Sequence, residues 1–135
     1  MANRTFYPSS GYGSGRVYLE FSFLANGASN PTGTNGVGTV DGADAVASIS
    51  LSATGTYTVT LKDNFNKIIY ATAEIDDSVP DGAYATVGLV SGENTANPLV
   101  FKVYTRAAGG SATNMAANRR VQVSMALRNG NWGTK

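Results

Sequence analysis

The stretch SATGTYTVTLKDNFNKIIYATAEI, residues 52–75, decides the fold class. In its first half apolar and polar side chains alternate, with Tyr57, Val59 and Leu61 on one side and threonines on the other. Strict alternation is typical of a half-buried β-strand, because successive side chains of a strand point to opposite faces. Gly55 before the strand and the Asp/Asn-rich segment after it are turn formers. We therefore predict two consecutive strands, at residues 56–62 and 67–75.

The same alternation recurs along the rest of the chain. It predicts strands at residues 16–24, 45–51, 84–90, 99–106 and 120–128, and a short one near 36–40. Every second residue is expected to face the core, for example Ile69, Ala71, Ala73 and Ile75 in the strand at 67–75. Only residues 111–118 could form a helical turn, capped by Ser111 or Thr113.

Seven or eight strands at spacings of about ten residues predict an all-β fold, a β-sandwich or jelly roll of antiparallel strands. At 135 residues the chain is expected to form one domain. We place this domain at residues 16–129, with a long Gly/Asn-rich loop at 25–44. Residues 1–15 are expected to form an extended N-terminal arm, and residues 130–135 a C-terminal tail.

Composition excludes several function classes. The net charge of +1 is too small for a protein that binds nucleic acid by neutralising many phosphates. The chain has no histidine and no cysteine, which excludes Ser-His-Asp and Cys-His catalysis and ordinary zinc sites. The sequence has neither a signal-peptide pattern after Met1 nor a span of about 20 apolar residues. We therefore expect no membrane partner and a protein that is made and used in aqueous surroundings.

Charged residues make up only 14% of the chain, against about 25% in typical soluble domains. They are unevenly placed: residues 74–93 carry acids and no base, and residues 102–135 carry bases and no acid. This division has two interpretations. It is a chance feature of a short chain, or it forms complementary patches that help copies or neighbours dock in register.

The carboxylates do not form a recognisable catalytic or metal-binding pattern. Asp76 and Asp77 are adjacent, so on a strand they would point to opposite faces and could not act as a pair. Calcium could take oxygen ligands from Asp76, Asp77 and Asp81, and from Asp41 or Asp44, but neither loop matches the calcium-binding pattern. Solvated loop carboxylates are the favoured interpretation. We expect no catalytic residue, no metal site and no cofactor.

Aromatic and arginine side chains near the termini are the candidate partner-interface residues, because Trp, Tyr and Arg dominate binding hot spots. This set consists of Phe6, Tyr7, Tyr12, Arg16, Arg119, Arg120 and Trp132. Trp132 could instead cover one end of the domain. Arg119 and Arg120 could pair with an acidic neighbour or keep a strand edge soluble.

Two segments carry a resemblance to a known family: ATGTYTVTLKDNFNKII at residues 53–69 and VQVSMALRNGN at 121–131. They resemble the capsid cement (decoration) proteins of tailed bacteriophages, in which similar strands frame a compact all-β domain. The likeness covers roughly residues 46–129, and it leaves the long loop unmatched. It implies a jelly-roll protein on the capsid exterior of the virion, bound to the major capsid protein as a homodimer, with a trimer as the alternative.

The resemblance implies a structural function: the protein binds an assembled phage capsid and stabilises it by bridging major capsid protein subunits. The first alternative is a carbohydrate-binding module that uses Tyr84, Tyr104 or Trp132 as stacking platforms. The second is a tail or receptor-binding component of the same kind of virus. An enzyme is the least favoured class.

Overall fold

The computed structural model of the chain describes residues 16–31, 45–63, 65, 67–76, 80–91 and 98–128. These residues form seven β-strands. The strands are β1 (Arg16–Leu24), β2 (Val46–Ala53), β3 (Thr56–Leu61), β4 (Lys67–Asp76), β5 (Tyr84–Ser91), β6 (Val100–Arg106) and β7 (Arg120–Arg128). The all-β prediction is confirmed, and the seven predicted strands in these ranges are confirmed to within two residues at each end. The arm, the tail, most of the 25–44 loop and the strand predicted near 36–40 lie outside the described residues.

The strands form two antiparallel sheets. One sheet has three strands in the order β1-β7-β4, and the other has four in the order β2-β3-β6-β5. The four-stranded sheet consists of two pairs of consecutive strands, β2–β3 and β5–β6. The three-stranded sheet instead consists of strands from the beginning, middle and end of the described chain. Its surface is therefore assembled from distant parts of the sequence.

The two sheets share one hydrophobic core. The ring centroids of Phe23 on β1 and Tyr57 on β3 lie 5.0 Å apart, and those of Phe21 on β1 and Phe101 on β6 lie 6.2 Å apart. The predicted inward residues of β7 are all buried, namely Val121, Val123, Met125 and Leu127. Because alternate residues of each strand fill this core, the remaining residues form the outer face of each sheet.

One predicted core residue of β4 is wrong. The predicted alternation placed Ile69 on the inner face, but it is Ile68 that packs against the core, together with Ala71, Ala73 and Ile75. The register of β4 on β7 shifts between Ile68 and Tyr70. A β-bulge adds one residue to a strand and so reverses the inward and outward assignment on one side of it.

The helical turn predicted at residues 111–118 is also wrong. Residues 111–116 form no helix and bond to neighbouring segments: the Thr113 N–H donates to the Thr105 carbonyl at 3.1 Å, and the Met115 carbonyl accepts from Gly27 N–H at 3.0 Å. Residues 117 and 118 form a turn. Met115 is buried in the core. Tertiary hydrogen bonds therefore take the place of the local helical ones. Among the residues that the structure describes, none forms a helix with the length and apolar character needed to cross a bilayer.

Candidate interaction surface

The outer face of the three-stranded sheet carries the most exposed aromatic residues of the described chain. We call it the tyrosine face. It consists of Arg16, Tyr18, Glu20, Ser22 and Leu24 on β1, Arg120, Gln122, Ser124, Ala126 and Arg128 on β7, and Lys67, Tyr70, Thr72 and Glu74 on β4. Strand register aligns these residues in rows that run across the three strands.

Tyr18 and Tyr70 lie in the same row, with Ala126 between them. Tyr18 is 58% exposed and Tyr70 is 50% exposed, whereas Ala126 is fully buried. Neighbouring strands are about 4.8 Å apart, so the two tyrosines leave the sheet roughly 10 Å from each other. Two exposed tyrosines around a small residue form a flat, amphipathic patch that suits protein contact.

A row of three cations lies beside the tyrosines, at the end of the sheet where β1 begins. In the strand register, Arg16 of β1 lies opposite Arg128 of β7, and Arg128 lies opposite Lys67 of β4. The Nε–H of Arg16 is shielded from solvent and has no hydrogen-bond acceptor within the described residues. Like charges directly opposite each other destabilise a sheet. Arg16 and Lys67 at the two ends of this row are therefore suited to carboxylates from a partner.

Acidic residues lie on the other side of the tyrosines. Glu20 on β1 and Glu74 on β4 are both exposed on the same face. Charge thus varies along the strand direction, with the cationic row, the tyrosines, the two acids and then Arg120 in order. A face of this kind favours partners of complementary charge and fixes their orientation.

The predicted interface residues do not all meet on this face. Arg16 lies in the cationic row. Arg120 lies at the opposite end of the tyrosine face, where the strand register places it opposite Leu24 of β1 and Asp76 of β4. Arg120 also borders a shallow depression lined by Glu20, Phe21, Ser22 and Gln122. The remaining predicted residues Phe6, Tyr7, Tyr12 and Trp132 lie outside the described residues.

Arg119 forms an ion pair within the chain. Its Nη1 lies 2.9 Å from Oδ2 of Asp81 and its Nη2 lies 3.0 Å from Oδ1. Hydrogen bonds from the Arg119 side chain and the Ala83 backbone hold the pKa of Asp81 well below its usual 3.8, at about 2. The pair joins the loop before β5 to the turn before β7. Its bidentate geometry makes Arg119 a structural residue in this state.

Sequence reasoning missed Tyr18, Tyr70, Lys67 and Arg128 as members of the surface. Tyr18, Tyr70 and Arg128 lie at outward positions of predicted strands, which was the available signal, whereas the predicted alternation put Lys67 on the same side as Ile69. Their proximity could not be read from the sequence, because it depends on β4 and β1 both pairing with β7.

A second cluster lies on the outer face of the four-stranded sheet. Tyr84 on β5 pairs with Arg106 on β6, and the Arg106 guanidinium carbon lies 6.0 Å from the centroid of the Tyr104 ring. The Tyr104 ring packs over Gly88, where an added Cβ would lie 2.8 Å from the ring. Arg106 Nη1 donates to the Gly110 carbonyl at 3.1 Å. Two tyrosines and an arginine thus share one small surface.

Within the described ranges, no three acidic, histidine or cysteine side chains come together as a metal site would require. A scan against models of known families, a search of curated proteins and a search of solved structures each found no match to this chain.

Proposed function

We propose that the protein is a structural virion protein that binds the outside of an assembled phage capsid and stabilises it by bridging subunits of the major capsid protein. The resemblance of its strand segments to capsid cement proteins supports this function. The main structural support for this function is the tyrosine face, on which exposed Tyr18 and Tyr70 lie between a cationic row and two acids. In this function the protein is not an enzyme and takes no cofactor.

The size of the tyrosine face explains why such a protein would depend on many contacts. Three strands of nine or ten residues cover a footprint of roughly 30 Å by 15 Å, or about 450 Å². A stable protein interface buries about 800 Å² per partner. One copy would therefore bind a flat capsid surface weakly through this face alone, and a copy that reaches two capsid subunits, or a homodimer, would gain from multivalency.

The mechanism is thermodynamic. A protein that binds the assembled shell and not its free subunits stabilises the assembled state by mass action. The partner surface would carry carboxylates opposite Arg16 and Lys67, and basic or polar groups opposite Glu20 and Glu74. The finer fold that accompanies this function is a jelly-roll β-sandwich, which the shared core of the two sheets supports.

Capsid reconstitution tests the proposal. Heads of the source phage, prepared without this protein, are mixed with purified wild-type chain and examined for bound copies and for resistance to heat. We expect the wild-type chain to bind and to raise the temperature at which the heads release DNA. Absence of binding to intact heads at any concentration would reject the proposal.

Matched variants test the surface itself. Tyr18→Ser with Tyr70→Ser, and Arg16→Glu with Lys67→Glu, should reduce occupancy about tenfold or more, because both remove or reverse contacts of the tyrosine face. The control variants Tyr84→Ser and Lys102→Glu alter the outer face of the other sheet and should bind as the wild type does. Equal occupancy for all four variants would exclude the tyrosine face as the capsid contact.

The cluster of Tyr84, Tyr104 and Arg106 supports a second candidate function, carbohydrate binding, because sugar rings stack on exposed aromatic side chains. A glycan array with the purified protein tests it, with Tyr84→Ala as the control variant. A signal that Tyr84→Ala abolishes would favour this function. If the same array shows no binding, the candidate is rejected. A tail or receptor-binding component is separated from a capsid protein by imaging labelled particles.

A further inference from the structure

The outer face of the four-stranded sheet has many hydroxyl groups, and we call it the hydroxyl face. Tyr57, Val59, Phe101 and Val103 point into the core, so the residues that alternate with them on β3 and β6 point outward. Strand register places outward residues of β2 and β5 beside them. Serine and threonine supply much of this face, namely Ser48, Ser50, Thr56, Thr58, Thr60 and Thr86.

Positive charge lies along β6, an inner strand of this sheet. Lys102 and Arg106 both point outward from β6, with Tyr104 between them. Four residues of a strand extend about 13 Å, so the Cα atoms of the two cations are roughly that far apart. Among the described residues of the hydroxyl face, no acidic side chain neutralises these cations. The face therefore favours a negatively charged ligand.

The Arg106 guanidinium is held in place by its own chain. Its Nη1 donates to the Gly110 carbonyl at 3.1 Å, and its carbon lies 6.0 Å from the centroid of the Tyr104 ring. Neither contact uses Nη2 or Nε, which have no acceptor among the described residues. A guanidinium that is already ordered loses little conformational freedom when it binds a carboxylate. Arg106 is therefore suited to a carboxylate from a ligand.

Gly88 gives the Tyr104 ring room to lie against the sheet. In the register Gly88 is opposite Lys102, and so diagonal to Tyr104. A Cβ on Gly88 would lie 2.8 Å from Cε2 of the Tyr104 ring and 3.4 Å from its hydroxyl oxygen. The ring therefore occupies the space that a side chain at position 88 would fill. A ring in this position offers a flat apolar surface on which a ligand can stack.

Tyr84 adds a second ring at the same end of the face. It lies opposite Arg106 in the register and is 41% exposed. The C–H face of a sugar stacks on aromatic rings, and its hydroxyl groups bond to serine and threonine. The centre of a protein interface is instead largely apolar, which this hydroxyl-rich face is not. Sugars with carboxylates match the rings, the hydroxyl groups and the cations together.

We propose that the hydroxyl face binds an acidic polysaccharide, one whose sugars carry carboxylates. Arg106 and Lys102 bind the carboxylates, and Tyr104 and Tyr84 stack on the sugar rings. The inference rests on the second candidate function, carbohydrate binding, and names its ligand class. The tyrosine face and the hydroxyl face lie on opposite sides of the shared core. A chain that binds a capsid through the tyrosine face would therefore present the hydroxyl face to the surroundings.

An oligosaccharide array tests the ligand class. The array presents uronic-acid and sialic-acid oligosaccharides, each beside its carboxyl-reduced neutral counterpart, and the full chain is applied to it. We expect acidic members to bind at least about tenfold more tightly than their neutral counterparts, and added salt to weaken the binding. Equal binding of acidic and neutral forms would overturn the inference and leave carbohydrate binding in place. The absence of any signal would overturn both.

Variants locate the site, with calorimetry on the acidic oligosaccharide that the array shows to bind best. Arg106→Gln and Lys102→Gln should each weaken binding about tenfold, because each removes a charge-assisted contact. Gly88→Ala changes no charge but displaces the Tyr104 ring, and it should weaken binding about fivefold with an unchanged urea midpoint.

The matched controls for these variants are Lys67→Gln and Tyr70→Ala, which alter the same residue types on the other sheet. Both should bind the oligosaccharide as the wild type does. Wild-type affinity in Arg106→Gln and Lys102→Gln, or an equal loss in the controls, would overturn the site.

Competition with poly-glutamate distinguishes a glycan from an acidic protein. Poly-glutamate of equal charge should displace the oligosaccharide only at concentrations at least about tenfold higher, because it lacks sugar rings that stack on tyrosine. Competition at equal concentration would show a surface for acidic peptides and would overturn the inference.

Capsid binding separates the two proposals. Arg106→Gln should bind heads of the source phage as the wild type does. A chain that binds heads but no acidic oligosaccharide rejects this inference and leaves the proposed function standing. A chain that binds acidic oligosaccharides but no heads supports the inference and rejects the proposed function.

Discussion

The guanidinium group of Arg119 binds both carboxylate oxygens of Asp81, at 2.9 Å and 3.0 Å, and so ties the loop before β5 to the turn before β7. These two residues are 38 positions apart in the chain. The pair lowers the pKa of Asp81 from its usual 3.8 to about 2. Because the carboxyl is on the surface, the stabilisation is expected to be small.

The pH dependence of this pair has a definite sign. The folded chain holds Asp81 ionised more strongly than the unfolded chain does, so the stabilisation is complete above pH 3.8 and is lost as the pH falls towards 2. We expect Asp81→Asn to lower the melting temperature slightly at pH 6 and to match the wild type near pH 2. Thermal unfolding followed by circular dichroism measures this. A difference that stays constant across this pH range would contradict the assignment.

Gly55 and Gly27 share the same backbone angle, φ +61°, and differ in their surroundings. A Cβ at Gly55 would lie 2.5 Å from the Thr105 carbonyl oxygen, whereas nothing lies within 4 Å of one at Gly27. We expect Gly27→Ala to lower the free energy of unfolding by about 1–2 kcal/mol, because alanine is strained in the left-handed conformation. Gly55→Ala should lower the free energy of unfolding by at least about 3 kcal/mol, because the backbone of Thr105 and Thr113 must also move to make room for the Cβ. Urea unfolding of both variants gives the comparison, and equal costs would show that the contact at Gly55 relaxes easily.

Two asparagines bind backbone N–H groups across the fold at different depths. Asn114 Oδ1 accepts from the part-buried Gly55 N–H at 2.7 Å, and Asn30 Oδ1 accepts from the exposed Leu51 N–H at 2.9 Å. Asn114→Ala should cost about 1–3 kcal/mol, because the N–H is left without an acceptor where water has poor access. Asn30→Ala should cost less than about 1 kcal/mol, since water replaces the side chain there. Chemical unfolding midpoints measure both, and the reverse order would contradict this account.

Tyr57 is fully buried, and burial raises the pKa of its phenol above the usual 10.0. The folded chain therefore keeps the Tyr57 proton at a pH where the unfolded chain releases it. Stability from this residue is complete below pH 10 and is lost as the pH rises further. We expect Tyr57→Phe to be within about 1 kcal/mol of the wild type at pH 7 and to lose less stability than the wild type at pH 11. Parallel stability curves for the two proteins would show that Tyr57 has no part in alkaline unfolding.

The strands could be predicted from the sequence because their signal is local. The alternation in Arg16–Leu24 and Arg120–Arg128 depends only on which residues face the core. The bulge in β4 broke this rule. It reversed the assignment of Ile68 and Ile69, since an extra residue changes which side chains point inward without changing the apolar composition.

The interaction surface could be predicted only in part. Arg16 and Arg120 were identified from residue type and position, and the structure places both on the tyrosine face. Arg119 has an identical side chain beside Arg120 in the sequence, and yet it binds Asp81 within the chain. Adjacent residues of one type thus differ in role, because Arg119 follows the turn at residues 117 and 118 and binds the loop before β5, whereas Arg120 is the first residue of β7.

The amino-acid sequence by itself determined that this chain forms strands and, outside the bulge in β4, which of their residues face the core, because periodicity and turn chemistry act over a few residues. Only the tertiary structure decided that β1 and β4 both pair with β7, which brings Arg16, Lys67 and Arg128 into one row and Tyr18 and Tyr70 into another. The physical reason is that strand pairing depends on where edges meet in the folded core. Residues more than a hundred positions apart become neighbours there through register alone.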